Sequence, residues 1–456
     1  MDRLLPDVVL ADVLGRLPQR SLAVSRAVCK CLRDIIDDLS LLRADLLPLS
    51  LGKIFTNFKA MELSEFFYPV NDPTAISRSC LLGIIDDHCN GLVLIKYIDH
   101  FVMNPITRQW VLLPPPPPPS TEMKDFYQNG AKYLVFDPTV APDYEVFLIP
   151  HVPGRDTLGL LSLELEWPPS PFILSVYSST SKHWEQRPFV RKGDAIGSIG
   201  HILQSEKERE KHYGVYLRGA LYVHCQNDYF YKISPSNGEY QVIKPPPGIE
   251  TSNHRQVYLG KSRNEVRCAI VDCSYELRVW IMDESHGQYE WVLKHHIDIL
   301  HLMQRQDNLQ VDGPWSSQEY YYDDAGHDHM KKAPQEYCYD YFSIHNEEGP
   351  AAEGTRLAFL GFHPFNKDVV FLTDTSEQGF AYHLESSTVE HLEKLNPMTE
   401  SVYYNPRTFV EVSFPFTPCL TGELSGFKKF MVLFQLDHIP IQPSFVQFNP
   451  FILNPA

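Results

Sequence analysis

The sequence predicts a mainly β protein, with three short helices at the amino end followed by a β-propeller of about six to eight blades. Three observations predict it. Apolar residues keep a helical period only as far as Leu46, and short strand-like runs bounded by turn residues follow. Those runs share one grammar, a strand, a turn and a strand ending near an aromatic. It recurs at about 40 to 50 residues, the period of a propeller blade. Composition agrees, because 12% aromatics and 36 prolines favour strands and turns over long helices.

The helices come first. Pro6 suits a first helical turn and Pro18 marks where that helix must stop. Between them Leu10, Val13, Leu14 and Leu17 fall at i, i+3, i+4 and i+7, one apolar stripe. Ser21 can cap a second helix carrying Val24, Ala27 and Val28. Leu32, Ile35, Ile36 and Leu39 repeat the spacing in a third. So small a module cannot bury all this apolar surface within itself, which leaves some for a partner.

The strands follow in order. Cys80 to Ile98 holds Asn90-Gly91, a strong hairpin signal, between two apolar runs. Phe101 to Leu113 turns at Asn104-Pro105 before Trp110, and Lys132 to Ile149 alternates around Asp137-Pro138. Phe172 to Trp184 is a strand and polar turn leading into an aromatic. Val215 to Ile243, Arg267 to Leu293 and Leu357 to Leu384 each contain two or three further strands. An up-and-down blade cannot hide its own edges, and radial repetition manages them. A pair of two-sheet sandwiches is the alternative architecture.

The amino-terminal pattern, Leu5-Pro6, Leu10, Val13-Leu14, Leu17-Pro18 and then Val28-Cys29-Lys30, resembles an F-box. The resemblance implies docking of a Skp-type adaptor, and through it a cullin–RING ubiquitin ligase. It places Pro6, Leu10, Val13, Leu14, Leu17 and Pro18 against the adaptor, with Leu5, Val28, Cys29 and Lys30 as further contacts. The family usually carries Trp two residues after the Cys-Lys pair. Here Leu32 keeps the position apolar and gives up aromatic area.

Further along, Cys89-Asn90-Gly91-Leu92, Met103-Asn104-Pro105 with Trp110 and Leu113-Pro114, Phe136-Asp137-Pro138, Val176-Tyr177-Ser178-Ser179, Leu221-Tyr222-Val223, Leu259-Gly260-Lys261-Ser262 and Gly361-Phe362-His363-Pro364 resemble plant F-box-associated repeats. In that family they build a kelch-like propeller that recruits targets. The expected organisation is an F-box over 1–47, a linker or first propeller strands over 48–78, a propeller over 79–440 with a loop-like insertion at 302–354, and a Pro-rich tail over 441–456. The implied function is substrate recognition in an SCF-type ligase, with no chemistry of its own. A cullin-independent scaffold, or a propeller lectin or hydrolase, are the rival readings.

Composition narrows the partners. A net charge of −17 disfavours nucleic acid and anionic membrane, and no basic stripe appears. Nine scattered cysteines fit free thiols in a reducing compartment, so the expected location is cytosol or nucleus. Pro6, Asp7 and Asp12 break any signal-peptide stretch, and no run reaches membrane-span length.

No catalytic motif in the sequence is complete. Ile196-Gly197-Ser198-Ile199-Gly200 lacks the first glycine of a nucleophile elbow. Asp86-Asp87 and Asp323-Asp324 are neighbours that point to opposite faces of a strand. His327-Asp328-His329 and His295-His296 lack partners at zinc spacing, so no metal or cofactor is expected. Trp110, Trp184, Trp280 and Trp291 read mostly as blade core. Pro114 to Pro119, six consecutive prolines, is extended polyproline, read as a blade connector or a ligand for an aromatic groove.

Overall fold

The computed structural model describes residues 7–17, 25, 32, 35–36, 51, 53–58, 63–69, 81–107, 109–118, 124–128, 130–138, 140–154, 163–203, 213–248, 255–272, 275–285, 288–300, 315–316, 357–374, 378–394, 410–419 and 428–429. The amino-terminal helix runs Asp7–Gly15. Leu14, 3% exposed, lies in one cluster with Ile35 and Ile36. Leu10, Ala11, Leu17 and Leu32 pack around them. After Gly15 the chain tightens through Arg16 N–H to the Val13 carbonyl and Leu17 N–H to the Leu14 carbonyl, which satisfies two carbonyls of the last turn.

The remainder is mainly β. Among the described residues six blades stand around one axis, and five of them contain four consecutive antiparallel strands. Blade 2 is Ile84–Cys89, Leu92–Lys96, His100–Asn104 and Gln109–Leu112. Blade 3 is Ala131–Phe136, Tyr144–Ile149, Phe172–Ser178 and His183–Lys192. Blade 4 is Gly214–Leu217, Ala220–His224, Phe230–Ser234 and Glu239–Ile243. Blade 5 is Arg255–Ser262, Glu265–Asp272, Glu276–Ser285 and Gln288–Asp298. Blade 6 is Ala358–Phe362, Val369–Thr373, Gln378–His383 and Val389–Lys394.

Blade 1 closes the ring. Its innermost strand, Val410–Phe416, comes from far along the chain and pairs with Lys53–Phe58, which pairs in turn with Leu63–Pro69. Phe55 sits opposite Phe414 and its ring meets Phe416 edge-on at 4.9 Å. Joining early and late strands in one sheet removes the open edges that a partial ring would leave. The stretch 48–78 thus already supplies blade strands. Of the expected insertion 302–354 only Trp315–Ser316 is described, and it pairs with Tyr68 and Pro69 on the outer edge of blade 1. The expected tail, 441–456, lies outside the described residues.

Local chemistry explains the strands. Ile84–Cys89 alternates half-buried and buried positions, the period-2 signature of a strand with one face in the core. Asn90 and Gly91 both take positive φ, 45° and 94°, as a two-residue hairpin turn between Cys89 and Leu92 requires. Blades 3 and 4 are further tied into one sheet by parallel pairing of their outer strands, Val190 opposite Glu239. Trp280 and Trp291 are core residues at 2% and 8% exposure, and Trp110 and Trp184 are half-buried. Trp167 joins the core by stacking on Phe126.

Candidate functional site

Two regions hold the residues singled out by sequence. The first is the amino-terminal helix, where the apolar stripe divides. Leu14 turns inward against Ile35 and Ile36, so its side chain serves the module's own core rather than an outer surface. Leu10 and Leu17 are half-buried on its flanks. Val13 points outward, 48% exposed, and Val9, one turn earlier, is 45% exposed. Val9 and Val13 therefore form a short apolar ridge on the helix surface. Sequence reading missed Val9, although its i, i+4 relation to Val13 was the available signal. Leu5, Pro6, Pro18, Val28, Cys29 and Lys30 lie outside the described residues.

The second region is one end of the propeller axis. Here Cys89-Asn90, Phe136, Leu259 to Ser262 and Gly361 to Pro364 come together, each at or near the end of an innermost strand. Lys261 in blade 5 donates from Nζ to Asn90 Oδ1 in blade 2 at 2.5 Å. These blades face one another across a ring of six, so the bond crosses the axis. Asn90 Nδ2 donates to the Phe136 carbonyl at 2.6 Å, tying blade 2 to blade 3. Ser262 Oγ donates to the His363 carbonyl at 2.8 Å, tying blade 5 to blade 6.

Below this crossbar the axis is filled with rings. Tyr213 and Tyr258 lie 4.4 Å apart, and Tyr258 meets Phe359 and Phe362. Gly214 is required by close approach, since a Cβ there would lie 2.4 Å from Tyr133 Cδ1. The space left, bounded by His88, Tyr216, Lys261, Phe414 and Thr417 among others, is a cavity of about 40 Å³. That is room for about three waters.

Three titratable groups on the strand beside this cavity, Asp87, His88 and Cys89, are quiet. Burial, with a smaller contribution from the Lys261 charge, lowers His88 to about 3, so it is neutral near pH 7. Burial pushes the Cys89 thiol up to about 12, away from the nucleophilic thiolate. Asp87 is buried and its Oδ2 accepts from Leu134 N–H at 2.7 Å. Desolvation raises its pKa well above the usual carboxylate range despite that bond. The arrangement locks blades together and presents no activated nucleophile–base pair in this cavity.

Other candidates are absorbed by the sheets. His296 pairs with Glu276 at 3.1 Å on the exposed side of blade 5, while burial lowers the His295 pKa beside it. His327-Asp328-His329 lies outside the described residues. Among those described, no three His, Cys, Asp or Glu side chains converge as metal ligands. Ser198, of the incomplete elbow, instead caps the short helix Ile199–Ile202 by accepting from His201 N–H.

Comparison with known proteins bears on the first region. Residues 3–44 match the F-box domain family. A protein of Arabidopsis thaliana named for its F-box, At3g16210, is 26% identical over 127 residues, covering 25% of this chain and 34% of that relative. Among solved structures, a DUF4784 family protein from Bacteroides caccae has 9% identity and a TM-score of 0.35, covering 76% of this chain and 72% of that one. YCF48 from Cyanidioschyzon merolae has 6% identity and the same TM-score, covering 76% and 86%. At such scores these structural likenesses carry no argument. The F-box match makes the divided helix the functionally informative region.

Proposed function

We propose that this chain is the substrate-recognition subunit of an SCF-type ubiquitin ligase, its F-box docking a Skp-type adaptor and thereby a cullin, and its propeller holding the target protein. The exposed Val9–Val13 ridge carries this reading. A helix whose inner face is already occupied by Ile35 and Ile36 still offers two adjacent valines to solvent, inside a matched F-box domain. Apolar side chains left paired on a small module are the material of a docking surface.

The propeller's part is to position the target. With its axis crossed by Lys261–Asn90 and filled by aromatic rings, the surface for a protein partner is the rim and the exposed turns, not the channel. The chain forms no covalent intermediate, and ubiquitin transfer belongs to an enzyme carried by other subunits. Cys89 is a buried thiol whose Sγ donates to the Phe136 carbonyl, and the nine scattered cysteines of the sequence support a reducing location, cytosol or nucleus.

Co-expression of the full chain with a recombinant Skp-type adaptor and cullin tests the proposal. A single co-eluting complex of all three is expected. Elution of the chain alone, folded, would favour the cullin-independent scaffold.

A further inference from the structure

The connector that leaves blade 2 is Leu113 followed by the proline run. Its burial has a period of three. Leu113 is buried at 4% and Pro116 is half-buried, whereas Pro114, Pro115, Pro117 and Pro118 are exposed. Three residues per turn is the repeat of polyproline II, so one edge of this helix lies on the protein and the other two face out. Two exposed dipeptides result, 114–115 and 117–118, separated by one inward residue. That spacing matches the paired pockets by which aromatic-lined grooves take Pro-rich segments.

The segment is held at its start. Leu113 N–H donates to the His100 carbonyl at 2.9 Å, and Trp184 Nε1 donates to the Pro114 carbonyl at 2.7 Å from blade 3. Anchoring and the fixed φ of proline leave little conformational freedom to lose on binding. Beside it, at the same end of the sheet, Tyr97, Ile98 and Leu112 are exposed at 50%, 81% and 49%. Residues 112–118 carry no charge and the prolines have no N–H, so the run offers rings and carbonyl oxygens only.

We infer that Pro114 to Pro118, with Tyr97 and Ile98, is a docking surface for a protein module whose groove is lined by parallel Trp and Tyr rings. The rings pack between the exposed prolines, and the indole N–H and phenol O–H donate to proline carbonyls. An uncharged run disfavours grooves that depend on an acidic pocket beside the rings. This surface is independent of the F-box ridge.

Isolated, isotope-labelled SH3, WW and EVH1 domains titrated with the intact chain test the inference by amide shift and broadening. At least one module should bind with a Kd below about 1 mM. Pro114→Ala/Pro117→Ala and Pro115→Ala/Pro118→Ala should each weaken it about tenfold or more, while Pro116→Ala changes it less than about twofold. Thermal melting of each variant confirms an intact fold, and a double variant that fails to fold is replaced by Ile98→Ser, which should also weaken binding. Absence of binding to all three modules would overturn the inference, as would equal sensitivity at Pro116 and the exposed edges.

Discussion

Replacing Val13 by aspartate separates docking from folding, because its neighbour Leu14 faces the other way. Burying a whole valine side chain contributes about 1.5–3 kcal/mol, so the half of Val13 still accessible contributes roughly 1 kcal/mol when an adaptor covers it. The introduced carboxylate must also be desolvated against an apolar partner, which brings the total to about 2–4 kcal/mol. That corresponds to roughly 30- to 1,000-fold in Kd. The cost to the helix itself is smaller, about 0.3–1 kcal/mol for a negative charge near its carboxyl end. Leu14→Ala should behave in the opposite way. It removes side-chain volume from a buried site at a cost of about 2–5 kcal/mol, comparable to all the stability a module this small can have. Calorimetric titration of the Skp-type adaptor into each variant, with hydrogen exchange of the Asp7–Gly15 amides, reads both effects. Val13→Asp should lose affinity with exchange protection near wild type, and Leu14→Ala should lose protection first. Wild-type affinity in Val13→Asp would remove the ridge from the interface.

Three further outcomes follow from the propeller axis. Asp87→Asn keeps an acceptor for Leu134 N–H and removes a buried carboxyl whose pKa is raised by desolvation, so denaturant melts at neutral pH should show a more stable protein. The sign follows from linkage. Asp87 contributes fully below its unfolded pKa and loses that contribution as pH rises toward the higher folded one, so the gain should vanish in strong acid. His88 titrates the other way, from an ordinary 6.5 down to about 3. As pH falls through that window the unfolded chain takes up a proton the folded chain refuses, so stability drops, and His88→Gln should flatten the decline. Lys261→Ala leaves Asn90 Oδ1 without its cross-axis donor and should cost about 1–3 kcal/mol in urea unfolding, with adaptor affinity unchanged.

Local features of this fold are legible in the sequence where local chemistry decides them. Asn90-Gly91 signals a two-residue turn, and the structure pairs Cys89 with Leu92 across it. The run from Arg267 to Leu293 reads as three strands, which the structure gives as the last three of blade 5, from Glu265 to Asp298. Features set by distant pairing leave no such mark. Nothing in Phe55 or Phe414 signals that they share a sheet, and Lys261 meets Asn90 across 171 positions. The helical stripe shows the limit at finer scale. Leu14 and Val13 fit one apolar period equally well, and only the position of Ile35 and Ile36 decides which turns inward. Yet the motifs of the turns predict more than their own conformations. Innermost strands of successive blades run in the same direction along the axis, so a residue at the end of one strand arrives at the same rim as its counterpart in the next. Cys89-Asn90, Phe136, Lys261-Ser262 and Phe362-His363 are therefore gathered by repetition itself. Their mutual hydrogen bonds explain why a sequence of weakly similar blocks needs polar residues at those positions.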